Sequence, residues 1–252
     1  MPSEIKKTVS TATPTANKIV GPIKLFVSTY EIFKNNVIGF SLNTIYRIVA
    51  LLPIFVIAFL YALVFSVFAI DNILLLLLFG ALYLAAIIFS VYLMIRFDVQ
   101  LLLMLKKTSG QFWDIFKVGR KYFWSYALLL VSLVFVIFLG SLLFILPGLV
   151  LAVFASLILC VAVSEDLGYA AAIKRGLSLA SKNFFGIAWR LILLAVGFFV
   201  VYFVVRILFS FFPDYGILLM IHKLLSSLVF YVGYTFSMIY IYLIYKSLAD
   251  KK

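Results

Sequence analysis

The chain alternates long apolar runs with short polar segments, and the lengths of these runs predict helices that cross a membrane. One crossing takes about 20 residues, because an α-helix rises 1.5 Å per residue and the hydrocarbon layer is roughly 30 Å thick. The pattern predicts a first span at about residues 48–70 and a second at 73–95, which ends at Arg96. Only Asp71-Asn72 separates them, so the two spans are expected to form a tight helical hairpin.

The next uncharged run, residues 125–163, is too long for one crossing. As a single helix it would reach roughly 58 Å, nearly twice the hydrocarbon thickness. Pro147-Gly148 lies inside the run, and such a pair commonly ends a helix. We therefore predict two spans, 125–146 and 149–163. The second is short, about 22 Å, and the alternative is a re-entrant segment that does not cross.

Two further apolar runs, 187–211 and 224–245, bring the predicted spans to six. A turn is expected between them at residues 212–216, where Pro213 and Gly216 lie. Residues 1–18 are polar and contain no apolar stretch, so they are predicted to form a disordered, solvated tail. Residues 19–252 are then expected to form one all-α, six-span membrane domain.

Basic residues are concentrated on one side of these spans. Of the 21 Lys and Arg residues, all except Arg206 and Lys223 lie before span one, in the loops after spans two and four, just inside span five, or beyond span six. Cytoplasmic loops are enriched in Lys and Arg, so both termini are predicted on the cytoplasmic side of an inner (plasma) membrane. A five-span topology would move the third basic loop outside, which the same rule disfavours.

A similar segment precedes each predicted hairpin, at residues 31–39, 114–124 and 178–186. Each combines apolar and basic residues at helical spacing and then opens into bulky apolar residues. The sequence therefore predicts a unit used three times, an amphipathic helix in the membrane plane followed by a two-span hairpin. In the first such helix, the apolar positions at helical spacing are Ile23, Phe26, Val27, Tyr30 and Phe33.

Composition agrees with a membrane protein and argues against a soluble enzyme. Hydrophobic residues make up 66% of the chain and charged residues 12%, whereas soluble domains have about 25% charged residues. The net charge of +12 is explained by the basic loops and anionic lipid, so nucleic acid is not an expected partner. Cys160 is the single cysteine, which excludes a disulfide within the chain.

Recognisable catalytic motifs are missing. With His222 as its single histidine, the chain has no His-Glu-x-x-His motif, and it contains neither a Gly-x-Ser-x-Gly elbow nor a P-loop. We expect no enzymatic activity, no metal and no cofactor. All nine acidic residues fall outside the predicted apolar cores, which disfavours proton-coupled transport, since a proton relay needs a buried carboxylate.

The candidate site residues are cations close to the last hairpin. Arg190 and Arg206 lie near opposite ends of span five, where long side chains reach the interface; alternatively they face a cavity and hold an anionic headgroup. Glu165-Asp166 is predicted to cap the basic helix that follows it, with a gating salt bridge as the second interpretation. The complete set of lipid-headgroup or cavity candidates is Lys174, Arg175, Lys182, Arg190 and Arg206.

Residues 140–195 contain motifs of a familiar kind: Leu-Pro-Gly-Leu at 146–149, Glu-Asp-Leu-Gly at 165–168, Ala-Ile-Lys-Arg-Gly-Leu at 172–177 and Lys-Asn-Phe at 182–184. This stretch resembles a bacterial membrane-domain family that includes the membrane domain of some glycerophosphodiester phosphodiesterases and related six-span inner-membrane proteins. Gly176 stands where that family usually has Ser. The resemblance implies a six-span fold. It implies no phosphodiesterase activity, because these residues hold no catalytic domain.

Two classes of function follow from these observations. The first is a non-enzymatic membrane scaffold or accessory protein, whose basic surface contacts anionic lipids and a membrane-protein partner. The second is a transporter or lipid-handling protein with a path between the hairpins. A water-accessible cavity lined by Arg190, Arg206 or His222 would favour the second class, and a closed, packed bundle would favour the first.

Overall fold

A computed structural model describes residues 21–68, 73–106, 111–143, 145–210 and 216–250. Within these ranges the chain is helical and contains no strand. The helices are α1 (Pro22–Asn35), α2 (Val37–Val49), α3 (Leu52–Phe68), α4 (Ile73–Leu105), α5 (Phe112–Val118), a 3₁₀-helix (Gly119–Tyr122), α6 (Phe123–Leu143), α7 (Ile145–Ser164), α8 (Tyr169–Ser181), α9 (Phe184–Ser210) and α10 (Gly216–Ala249).

The described chain has six helical segments that are long and apolar enough to cross a membrane: Val37–Phe65, Ile73–Leu105, Phe112–Leu142, Pro147–Ser164, Phe184–Leu208 and Leu225–Ala249. They confirm the predicted all-α, six-span architecture. Shorter helices precede each hairpin, in the order expected for three units, and the first unit has an additional helix, α2. The predicted tail (1–18), the turn at Asp71-Asn72 and most of the turn at 212–216 lie outside the described residues.

Two helices are much longer than one crossing requires. With 33 residues in α4 and 34 in α10, each extends about 50 Å, so roughly 20 Å of each continues beyond a hydrocarbon layer of about 30 Å. The helix that contains span two therefore continues to Leu105, past Arg96, where the sequence suggested an end. No glycine or proline lies between Arg96 and Leu105, so nothing in that stretch ends the helix.

The buried core is concentrated at one end of the bundle, where the second halves of α4 and α10 pack with α2, α7 and the short helices. Leu101, Leu157 and Tyr240 are fully buried there. We call this the basic end. In contrast, α3 and the first half of α4 expose apolar side chains such as Phe59 and Leu77. In lipid such side chains are solvated as well as in a protein core, so they need not be buried. Near water the hydrophobic effect drives apolar side chains together into a core.

The second hairpin turns earlier than predicted. Helix α6 ends at Leu143 and α7 begins at Ile145, so Pro147 lies in the first turn of α7. Backbone N–H groups in a first turn have no partner within the helix, so proline loses no hydrogen bond there. The expected short fourth span is thus a helix of 20 residues, about 30 Å long. A Cβ atom on Gly148 would lie 3.1 Å from Ser141 Cα, so glycine permits the close approach of α6 and α7.

Candidate functional site

A buried ion pair joins three helices at the basic end. Arg47 Nη1 of α2 donates to Asp98 Oδ1 of α4 at 2.5 Å, and the two residues are only 3% and 7% exposed. Tyr234 of α10 donates its hydroxyl hydrogen to the same Asp98 oxygen at 3.0 Å. The Arg47 guanidinium also lies over the Tyr234 ring, 4.8 Å from its centroid. One carboxylate therefore holds α2, α4 and α10 together.

Asn43 and Gln100 extend this contact between α2 and α4. The Asn43 Oδ1 atom accepts a hydrogen bond from Arg47 Nε at 2.8 Å. Its Nδ2 group donates to the carbonyl of Phe97 at 3.0 Å and to Gln100 Oε1 at 3.3 Å. We call Asn43, Arg47, Asp98, Gln100 and Tyr234 the polar cluster. Buried polar atoms need hydrogen-bond partners, and many of those in the polar cluster find them in one another.

Polar side chains of α4 also hold α5 in place. Arg96 Nη2 donates to the carbonyl of Phe116, and Gln100 Nε2 donates to the carbonyl of Phe112 at 2.7 Å. The two donors are four residues apart and thus lie on one face of α4. Carbonyls in the last turn of a helix lack partners within that helix and carry partial negative charge, so a buried Arg96 is a suitable partner for this short helix.

Asp98 lies outside the predicted apolar core of span two, residues 73–95, as expected, but it is not exposed to water. It is buried within the continuous helix α4, about 37 Å along the helix from Ile73. A hydrocarbon layer of roughly 30 Å that starts at Ile73 ends before Asp98. The carboxylate thus lies in a protein core beside the membrane interface, with its negative charge compensated by Arg47.

Two further ion pairs lie at the basic end, close to the connection between the second and third units. Arg175 Nε of α8 lies 3.2 Å from Glu165 Oε2, and the hydroxyl of Tyr245 donates to Glu165 Oε1 at 3.2 Å. Lys121 Nζ donates to Asp166 Oδ2 at 2.8 Å. This hydrogen bond lowers the pKa of the exposed Asp166 carboxyl.

The predicted helix cap at Glu165-Asp166 is wrong, whereas both residues do form salt bridges. Helix α8 starts at Tyr169, after Gly168, without a side-chain cap. Asp166 instead follows the end of α7 with a left-handed φ of 54°, and the backbone N–H of Leu167 donates to the carbonyl of Ala162 at 3.1 Å. This is the 6→1 bond of a Schellman ending.

The structure separates the five candidate cations rather than bringing them together. Lys174 and Lys182 are exposed, while Arg175 is occupied by Glu165. Arg190 is half-buried and donates to the carbonyl of Gly186, within its own helix, at 2.5 Å. Arg206 is exposed and lies 16 residues further along α9, about 24 Å away. These two arginines are near opposite ends of one helix and do not line a common cavity. The side chain of His222 lies outside the described residues.

Exposed cations surround the basic end. They lie on the short helices or at adjacent ends of the long ones, close to exposed aromatic residues such as Trp113 and Trp124. Among the described residues, none of these side chains takes part in an ion pair with a carboxylate. We call this set the basic collar: Lys24, Lys34, Lys106, Lys117, Arg120, Lys174, Lys182 and Lys246.

The first amphipathic helix has two apolar faces rather than one. Phe26 and Phe33 pack against the core, whereas Ile23, Val27 and Tyr30 are exposed. The exposed face suits contact with lipid, as the sequence predicted for an interfacial helix. Among the described residues, no group of three or more His, Cys, Asp and Glu side chains is placed to hold a metal ion.

Comparisons with known proteins assign neither a family nor a function to the chain. No family model matches the chain, and neither a curated protein nor a solved structure is similar to it. The resemblance to the phosphodiesterase membrane domain therefore stays a prediction.

The polar cluster is the feature that the sequence analysis missed. Arg96, Asp98 and Gln100 alternate with apolar residues and are followed by Leu101-Leu102-Leu103. Polar residues inside an unbroken apolar helix indicate that the helix has buried polar partners, so the sequence could have predicted a polar contact here. Arg47, the partner of Asp98, is 51 residues away from it, and nothing local in the sequence identifies that partner.

Proposed function

We propose that this protein is a non-enzymatic scaffold or accessory protein of an inner (plasma) membrane, and that its basic collar gathers anionic phospholipids on the cytoplasmic side. The main support for the proposal is a difference at the basic end between the buried charged residues and the exposed cations of the collar. The buried Arg47 and Asp98 bond to each other and the buried Arg96 bonds to a hydroxyl and a carbonyl, whereas the exposed collar cations have no carboxylate partner among the described residues. Unpaired cations beside exposed tryptophans suit the headgroup region of a bilayer.

A second candidate, a transporter or lipid-handling protein, is favoured by one observation, the burial of Asp98 in a chain that spans a membrane. Three features weigh against it. Arg47 and Tyr234 compensate the Asp98 carboxylate, and the surrounding core is closed by fully buried residues such as Leu101 and Ile239. Arg190 and Arg206, which would have marked a substrate path, are about 24 Å apart on one helix.

Neutralising collar lysines should reduce the anionic lipid that purifies with the protein. We expect the quadruple variant Lys24→Gln, Lys34→Gln, Lys174→Gln and Lys182→Gln to lose this enrichment several-fold, because each cation near an anionic surface contributes about 1 kcal/mol. Native mass spectrometry after extraction from membranes with equal amounts of phosphatidylglycerol and phosphatidylcholine measures the ratio of bound lipids. All four lysines are exposed, so the fold should be unaffected.

The matched control replaces the same four lysines by arginine, which keeps the charges. It should retain the lipid ratio of the unmodified protein. Equal ratios in the glutamine and arginine variants, or no preference for phosphatidylglycerol in the unmodified protein, would refute the lipid-gathering role.

The proposed orientation predicts which positions are accessible from outside the cell. In a Cys160→Ala background, a cysteine at Lys182 should react with a membrane-impermeant maleimide only after the cells are permeabilised, and a cysteine at Arg206 should react in intact cells. The reason is that 19 of the 21 basic residues lie on the Lys182 side of the predicted spans. Cys160 itself is buried.

The same labelling separates the two candidate functions. A cysteine at Thr235, a fully buried position beside the polar cluster, should stay unlabelled in permeabilised cells if the core is closed. Labelling at Thr235 would indicate a water-filled path and favour the transporter. Labelling of Lys182→Cys in intact cells would overturn the orientation.

A further inference from the structure

A groove runs along the outside of the bundle where α4 meets the start of α6. Its volume is about 440 Å³, and it is lined by Ile88, Val91, Tyr92, Ile95, Arg120, Phe123 and Trp124. The four lining residues of α4 follow helical spacing and form a single face. Ile88 and Ile95 are seven residues apart, so the apolar part of the groove extends about 10 Å along α4.

The walls and the floor of the groove differ in burial. Ile95 is 6% exposed and forms the floor, whereas Ile88 is 63% exposed and Trp124 is 75% exposed. Phe123 packs on Tyr92 with ring centroids 4.8 Å apart, which closes the groove between the two helices. Since Ile88 lies further from the basic end than Ile95, the groove begins at the basic end and continues toward the predicted membrane centre.

Charge is present at one end of the groove only. Arg120 belongs to the 3₁₀-helix that precedes α6, and its side chain is exposed. Within the described residues it takes part in no ion pair. Arg96 lies behind the groove and donates to the hydroxyl of the lining Tyr92 at 3.2 Å, which adds a second positive charge near the same end.

We propose that this groove binds one anionic phospholipid, with the phosphate at Arg120 and an acyl chain along Ile88, Val91 and Ile95. The inference rests on the proposed lipid-gathering function and assigns one defined site to it. An arginine at headgroup depth, a tryptophan beside it and an aliphatic face leading into the bilayer match the three parts of such a lipid: phosphate, glycerol region and acyl chain. If a neutral helix of another protein occupied the groove instead of a lipid, the charge of Arg120 would stay uncompensated.

Trp124 provides a reporter inside the groove. The chain has three tryptophans, so Trp113→Phe with Trp189→Phe leaves Trp124 alone. In phosphatidylcholine vesicles, brominated phosphatidylglycerol should quench Trp124 about fivefold more effectively than brominated phosphatidylcholine at equal mole fraction. That factor corresponds to ~1 kcal/mol for one cation near the phosphate. Arg120→Gln should bring the ratio close to one, and Arg206→Gln, at the far end of α9, should leave it unchanged.

The reference protein retains Trp189 alone, through Trp113→Phe with Trp124→Phe. Arg120→Gln should not change its quenching, because Trp189 is on α9 and outside the groove. Equal quenching of Trp124 by the two lipids, or an unchanged ratio in Arg120→Gln, would overturn the groove site. Absence of quenching by either lipid would overturn it too, since protein would then cover the groove.

Failure of the groove can be distinguished from failure of the collar. If native mass spectrometry shows phosphatidylglycerol enrichment while Trp124 shows no preference, the lipid-gathering function stands and the groove is refuted. If neither method shows a preference for the anionic lipid, both proposals are refuted.

Discussion

Replacing Asp98 by Asn is expected to destabilise the protein by about 3–5 kcal/mol, the usual effect of removing one partner from a buried ion pair. The substitution keeps the shape of the side chain but leaves the Arg47 guanidinium, 3% exposed, without its counter-charge. It also weakens the acceptor that Tyr234 uses. The loss should appear as a large decrease in the thermal midpoint of the detergent-solubilised protein.

Two controls separate the ion pair from a general effect of removing charge. Asp166→Asn removes a carboxylate from an exposed pair with Lys121, and it should cost less than about 1 kcal/mol. The double variant Arg47→Met with Asp98→Leu removes both buried charges, and it should be more stable than Asp98→Asn because no uncompensated charge remains. If Asp98→Asn were as mild as Asp166→Asn, the ion pair would not hold α2, α4 and α10 together.

Span number and unit order were predictable because the bilayer limits them physically. A crossing helix needs about 20 apolar residues, so the run lengths alone indicate six spans. Helix ends were less predictable. Arg96 resembled the end of a helix, yet the helix continues to Leu105, and the Arg96 guanidinium has partners inside the protein, the Phe116 carbonyl and the Tyr92 hydroxyl. A charged residue ends a span only where it must reach water, and the sequence does not show which charges find partners.

Pro147 illustrates the same difficulty for turns. The Pro-Gly pair indicated a helix break, and a break is present, but it precedes the proline rather than coinciding with it. Proline is tolerated in the first turn of a helix, so the pair is as compatible with a helix start as with a turn. The close approach of Gly148 to Ser141 depends on the fold of the hairpin, which local sequence patterns do not describe.

Gly176 is expected to be the most sensitive glycine at the contact between α7 and α8. A Cβ atom there would lie 2.5 Å from Ile158 Cγ1 and 2.9 Å from Ile158 Cα. The second contact involves the backbone, so rotation of a side chain cannot relieve it. We expect Gly176→Ala to destabilise the protein by about 1–3 kcal/mol, the usual range for overpacking. Alanine's higher helix propensity, about 1 kcal/mol, offsets only part of this steric cost.

The matched control is Gly80→Ala, also in a helix but with no atom within 4 Å of the added Cβ. It should be neutral or stabilising, because only helix propensity changes. Comparison of the two thermal midpoints in one detergent therefore isolates the steric effect.

Since α8 also carries Arg175, which pairs with Glu165, displacement of α8 by Gly176→Ala should weaken that ion pair. Gly176→Ala combined with Glu165→Gln should accordingly destabilise the protein by less than the sum of the two single effects. Full additivity, or a Gly176→Ala variant as stable as Gly80→Ala, would show that α8 does not pack on Ile158 as closely as described.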